Sequence, residues 1–141
     1  MSDLFFRSKG FISSGFINFT PKEAYAETLS GAIFIDVREE NMAGFKRFDV
    51  AQVMYLPFSQ LKERFQELPE GKGLIFADTS GLKSREAVLF LQNQGFQNIA
   101  NLAGGLVEWE RDGMPLKTNI NERLDGSCMC QLKRRNKSNN Q

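Results

Sequence analysis

The sequence predicts an α/β domain, a mostly parallel central sheet with helices on both faces. Two observations carry that expectation. Apolar runs at 32–37 and 73–77 have strand length and lack the alternation of a half-exposed strand; strands buried on both faces read this way, and 98–102 reads as a third strand. Between them lie segments with helix starts and glycine stops. Strands alternating with helices imply parallel pairing with helices packed on each side.

Taken in order, residues 1–17 carry Phe5, Phe6, Phe11 and Phe16 among Ser, Gly and Lys, and read as an arm whose rings pack on the domain. Thr20-Pro21-Lys22-Glu23 is a helix start: Thr20 caps, Pro21 suits the first turn and Glu23 completes a capping box. The helix runs to about Ser30, with Gly31 as its stop. Residues 32–37 form the first buried strand. Residues 38–49 read as a loop with one helical turn, carrying Met42, Phe45 and Phe48. A short strand follows within 50–55, then a helix capped by Ser59 and stopped by Pro69 and Gly71. Residues 73–77 are a second strand, 84–94 a helix ended by Gly95, and 98–102 a third strand. Gly104-Gly105 opens a last helix carrying Trp109, and Pro115 closes the domain. The domain spans 18–117, and residues 118–141 form a flexible basic tail.

At 141 residues the chain suits one domain with a real core. Its formal net charge of +1 argues against a nucleic-acid footprint. No apolar run approaches the about 20 residues of a membrane span, and Asp3, Arg7 and Lys9 interrupt the amino terminus. The expected setting is the cytoplasm, without a membrane, and the expected state a monomer. Histidine is absent, which removes Ser-His-Asp and Cys-His catalysis and the commonest metal ligand. No metal or cofactor is expected. The two cysteines, Cys128 and Cys130, both lie in the tail, so a secreted disulfide scaffold is excluded.

The segment Asp78-Thr79-Ser80-Gly81-Leu82-Lys83-Ser84 joins a buried strand to a helix. Ligands in open α/β sheets bind beyond the carboxyl ends of strands. Small polar residues around Gly81 let backbone N–H groups converge, and the helix start adds partial positive charge. Lys83 and Arg85 add more. The loop therefore reads as an anion cradle, or more plainly as a strand-to-helix connection whose Ser and Thr cap the helix.

Four stretches lie in the order and spacing of a known family. They are Ile35-Asp36-Val37-Arg38-Glu39 at the end of the first strand, Asp49-Val50-Ala51 through Pro57, Leu102-Ala103-Gly104-Gly105 ending in Trp109, and Gly113-Met114-Pro115. Together they resemble the rhodanese (sulfurtransferase) family over roughly Ile17 to Pro115. The resemblance implies that a cysteine opens the loop, in the pattern Cys-x-x-Gly-x-Arg, and carries sulfur as a persulfide held by the loop amides. In this sequence Asp78 stands at the cysteine position, Gly81 keeps the glycine and Lys83 supplies the basic residue. Asp49 stands at the family's histidine position.

A carboxylate is a poor nucleophile toward sulfur and holds no persulfide. It also brings negative charge: two unit charges about 4 Å apart repel by roughly 4 kcal/mol at an effective dielectric near 20. The expectation is that Asp78 accepts the loop N–H bonds itself, in place of a bound anion, and is inert. Aspartyl-phosphate chemistry is the alternative, with Asp36 as a second carboxylate, but it calls for Mg²⁺ and further carboxylates.

Cys128-Met129-Cys130 is the only thiol chemistry available. The pair reads as a persulfide or dithiol site favoured by Lys133, Arg134 and Arg135, as a soft Cu(I) site, or as incidental. Asp36 and Arg38 read as structural, tying the strand end to nearby loops. Trp109 reads as core, and Phe45 and Phe48 as candidates for the pocket mouth. The function expected is a non-catalytic binding or regulatory module for a protein partner or small anion. The alternative is a sulfur relay through Cys128 and Cys130.

Overall fold

A computed structural model describes Phe6 and residues 9–39 and 46–118. Two strands open it, β1 (Phe11–Ser13) and β2 (Phe16–Phe19), paired antiparallel. Helix α1 (Pro21–Leu29) begins at a complete capping box: the Thr20 hydroxyl accepts from the Glu23 N–H at 3.3 Å, and the Glu23 carboxylate accepts from the Thr20 N–H at 2.9 Å. Next come β3 (Ile33–Asp36), β4 (Lys46–Phe48) and β5 (Val53–Tyr55). A run of short helical turns follows, Phe58–Gln60, α2 (Leu61–Arg64) and Phe65–Glu67. Then β6 (Leu74–Ala77), α3 (Leu82–Asn93), β7 (Ile99–Leu102), α4 (Gly105–Arg111) and β8 (Leu116–Thr118) complete the described chain.

The main sheet has the order β1-β2-β7-β6-β3-β5. All its pairings are parallel except β1 with β2. Successive side chains in a strand point to opposite faces, and the core divides accordingly. Ile33, Ile35, Leu74 and Phe76 pack with Leu61 of α2 and with Ala87, Val88 and Leu91 of α3. Phe34, Ile75 and Ala77 pack on the other face with Ala24 of α1 and with Leu106 and Trp109 of α4. The architecture is the expected three-layer α/β arrangement. Trp109 is fully buried, meets Phe34 and Phe48 edge-on at 5.2 and 5.5 Å, and donates its indole N–H to the Pro115 carbonyl at 2.7 Å.

Four strands are additions to the sequence reading. β1 and β2 fall mostly in the stretch read as an arm, where Phe6 and Phe16 are buried core residues and Phe11 is exposed. β4 and β8 pair antiparallel as a small second sheet, where a helical turn and a domain end were expected. Strands of three or four residues carry too little periodicity to be seen alone; pairing makes them, locally in the β1–β2 hairpin and between distant segments for β2 with β7 and β4 with β8. Phe48 is in the core, not at a pocket mouth, while Met42, Phe45, Cys128 and Cys130 lie outside the described residues. Ser59 is no helix cap: its N–H and hydroxyl both donate to the Glu39 carboxylate, at 3.0 and 2.8 Å. Among the described residues no helix is long and apolar enough to cross a membrane.

Candidate functional site

Parallel pairing puts the carboxyl ends of β3, β6 and β7 at one edge of the sheet. Asp36 ends β3 there, and Asp78 follows β6 directly. The Asp36 carboxylate is committed: it accepts from the Arg38 guanidinium at 2.8 and 3.0 Å and from the Arg38 N–H at 3.1 Å, with both residues nearly buried. The Arg38 guanidinium also lies over the Phe48 ring at 5.5 Å. Asp36 is therefore a structural partner of Arg38, tied within its own strand end, rather than a second carboxylate for Asp78.

The loop after β6 is held by the start of α4. The Leu106 and Val107 N–H groups donate to the Asp78 and Thr79 carbonyls at 2.8 and 3.0 Å. This approach requires glycine. Gly105 has φ +59°, and a Cβ there would meet the Asp78 carbonyl oxygen at 2.5 Å. Gly81 has φ +96°, and a Cβ there would meet the Gly104 nitrogen at 3.0 Å. Only glycine adopts such backbone angles without strain.

The Asp78 side chain folds back into the loop and is 5% exposed. Its Oδ1 accepts from the Gly81 N–H, and its Oδ2 from the Lys83 N–H at 2.9 Å. Charge-assisted bonds of this kind are roughly twice as strong as neutral ones. The arrangement also explains why α3 begins at Leu82 and not at Ser84. Its N-cap is Gly81, which has no side chain, and Asp78 supplies the capping acceptor from three residues upstream.

Behind the loop lies a buried polar row that the sequence reading missed. The Ser84 Oγ is 3.3 Å from the Asp78 Oδ1 and donates to the Asn101 Oδ1 at 2.5 Å. Asn101 donates to the Asn18 Oδ1 at 2.9 Å, and Asn18 donates to the Phe16 carbonyl at 3.2 Å. The available signal was an asparagine in the middle of each of two apolar runs, Phe16-Ile17-Asn18-Phe19 and Ile99-Ala100-Asn101-Leu102.

A cleft of about 350 Å³ opens beside the loop. Val37, Phe58 and Leu82 form apolar wall, and Asp78, Thr79, Ser80 and Lys83 line the loop side. The Lys83 ammonium sits 5.0 Å over the Phe58 ring, a cation–π contact. Phe58 and Glu39, another lining residue, were not singled out from the sequence. Two larger depressions, about 410 and 510 Å³, lie around Phe96 and Gln97 at the amino ends of the strands. The Asp78 loop borders neither.

The model of the rhodanese-like domain family matches residues 20–112. A sulfurtransferase of Allochromatium vinosum is 30% identical over 67 residues, which cover 48% of this chain and 63% of the relative. The thiosulfate sulfurtransferase GlpE of Haemophilus influenzae strain PittEE is 26% identical over 107 residues, covering 73% of this chain and 96% of the relative. Among solved structures, a rhodanese-related protein from Thermoplasma volcanium superposes with a TM-score of 0.64 at 27% identity, over 72% of this chain and 98% of that one.

Proposed function

The chain belongs to the family of rhodanese-like domains, and we propose that it is a non-catalytic member, a binding or regulatory module whose loop carries no sulfur. One observation supports this above the others. The group at the position of the family's cysteine is the Asp78 carboxylate, and it is already bonded to the Gly81 and Lys83 N–H groups. Those amides belong to the loop that would hold a transferred anion. The carboxylate is a weak nucleophile toward sulfur and forms no persulfide. The same reading has the protein act in the cytoplasm as a monomer, on a protein partner or a small anion.

A second reading rests on the cysteine count. Cys128 and Cys130 are the only thiols in the chain, and the relatives named above are sulfurtransferases. A sulfur relay in this protein would therefore run through the tail.

Sulfur loading separates the two. The full chain is incubated with thiosulfate or a persulfide donor and its intact mass is measured. The non-catalytic reading expects no added sulfur. A gain of one sulfur atom that disappears in Cys128→Ser/Cys130→Ser supports the relay. A gain that persists in that double variant overturns the inert loop. The companion variant Asp78→Cys is expected to acquire some sulfurtransferase activity; none, with the fold preserved, means that the loop no longer works as a cradle.

A further inference from the structure

We propose that β1 is a docking edge, where an extended, uncharged segment of a partner protein adds to the main sheet as one more strand. The edge lies apart from the Asp78 loop, so this holds whichever way the loop's chemistry is read.

The backbone selects the occupant. β1 is the outer strand of the main sheet, and among the described residues it pairs with β2 alone. The direction of its free groups follows from its neighbours. The Phe19 carbonyl accepts from the Ala103 N–H, just past β7, so Phe19 turns its backbone groups towards β7. Ile17, two residues earlier, turns the same way. Ile12 stands opposite Ile17. In an antiparallel pair, opposed residues either bond each other or both face away. The Ile12 N–H and C=O therefore point out from the edge. Unpaired strand groups of this kind are a template for another strand.

The side chains set its character. Edges that stay unpaired are guarded by lysine, proline or a bulge. β1 is Phe11-Ile12-Ser13, in unbroken register with β2. Phe11 and Ile12 point to opposite faces and are 44% and 70% exposed, so apolar surface is bare on both sides of the edge. Ile12 also lines the depression of about 510 Å³, with Phe16, Ile17, Phe96, Gln92 and Gln97, and no residue lining it is charged. A charged side chain seated there would lose water without gaining a partner. The hairpin is braced before anything binds. Its turn residues Ser14 and Gly15 have φ of +58° and +85°, as the turn that suits strand twist requires, and the Gln92 Nε2 donates to the Gly15 carbonyl at 2.9 Å. A second copy of the chain is the poorer fit. It offers the same three residues, with Ile12 facing outward between its two neighbours, whereas an extended segment runs past both ends of β1.

The test follows backbone amides of the isotope-labelled full chain by NMR while an acetylated, amidated Val-Thr-Val-Thr-Val peptide is added. In the free chain the Ile12 N–H should exchange quickly with deuterated solvent and the Ile17 N–H slowly. The peptide should slow exchange at Ile12 and shift the amides of Phe11, Ile12 and Ser13. Affinity should fall about tenfold or more when every strand nitrogen of the peptide is methylated, which keeps its side chains and removes its donors. A similar fall is expected when its valines are replaced by serine. Ile12→Pro should do the same from the protein's side, since proline is tolerated where the N–H faces solvent and leaves the β1–β2 bonds in place. The proposal is overturned if the peptide leaves the β1 amides unmoved, or if the methylated peptide binds as well as the parent. It is also overturned if Ile12 is already protected in the free chain. Protection independent of protein concentration would assign the edge to another segment of this chain, and protection that grows with concentration would assign it to a second copy. The methylated peptide needs no protein variant, so that comparison decides even where Ile12→Pro fails to fold. Sulfur loading is read separately: a loop that takes sulfur sinks the non-catalytic reading and leaves the docking edge standing.

Discussion

Asp78 gives α3 the acceptor that its glycine N-cap lacks, so this side chain is a structural part of the loop. That role makes a simple prediction. In Asp78→Asn one oxygen becomes an NH₂ group. Whichever way the amide turns, a donor then faces either the Gly81 or the Lys83 N–H. A buried donor left without its acceptor costs about 1–3 kcal/mol, and urea denaturation should show a loss of that size with an unchanged slope. No loss would mean that these two bonds do not hold the loop. The Asp36–Arg38 pair makes a sharper case. Both residues are nearly buried, and the bonds to the Asp36 carboxylate come from Arg38. Removing one partner of a buried pair leaves a desolvated charge and costs about 3–5 kcal/mol. Arg38→Met should therefore lower stability by about that amount in the same experiment, several times the effect of substituting an exposed ion-pair residue such as Lys46.

Among the elements, the start of α4 decides where the loop sits, because its first N–H groups hold the Asp78 and Thr79 carbonyls. Gly105→Ala would combine a left-handed backbone with a Cβ 2.5 Å from the Asp78 carbonyl. The sum should be at least about 2 kcal/mol, and α4 should move off the loop. Gly95→Ala is the control: its φ is +97°, but nothing lies within 4 Å of the added carbon, so only the backbone term of about 1–2 kcal/mol applies. Thermal denaturation of the two variants gives the comparison, and equal losses would show that the close approach does not matter. The same contrast tells what a sequence reveals about elements. The capping box at Thr20, the apolar runs of β3, β6 and β7 and the glycine stops are local signals, and each was readable. β1, β4 and β8 were not, because three residues define no period, and β4 and β8 pair only with each other, far along the chain. The start of α3 was read two residues late for a related reason. Its cap comes from Asp78, outside the usual capping position.

In the molecule as a whole, a polar row runs through an otherwise apolar layer, from the loop after the central strand β6 to the hairpin at the sheet's edge. Asn18 and Asn101 face each other in the β2–β7 register, on the side of the sheet where Ser84 of α3 packs, and all three are buried. Neither asparagine can be understood from its own strand; each is needed only because the other, and Ser84, stand opposite. This is the part of the site that a linear reading loses. It also predicts an energetic link. A hydroxyl has one proton, and Ser84 places it on Asn101 at 2.5 Å in preference to Asp78 at 3.3 Å. Removing the asparagine side chain releases that proton to the carboxylate. Asp78→Asn and Asn101→Ala should therefore depart from additivity by about 0.5 kcal/mol or more in a double-mutant cycle, as members of one hydrogen-bond network do. Asp78→Asn with Gly95→Ala, which share no partner, should add within about 0.5 kcal/mol. If the first cycle closes as well as the second, the polar row is a set of separate contacts and the hairpin is energetically independent of the loop. If it does not, the edge of the sheet helps to set the geometry of the site at its centre.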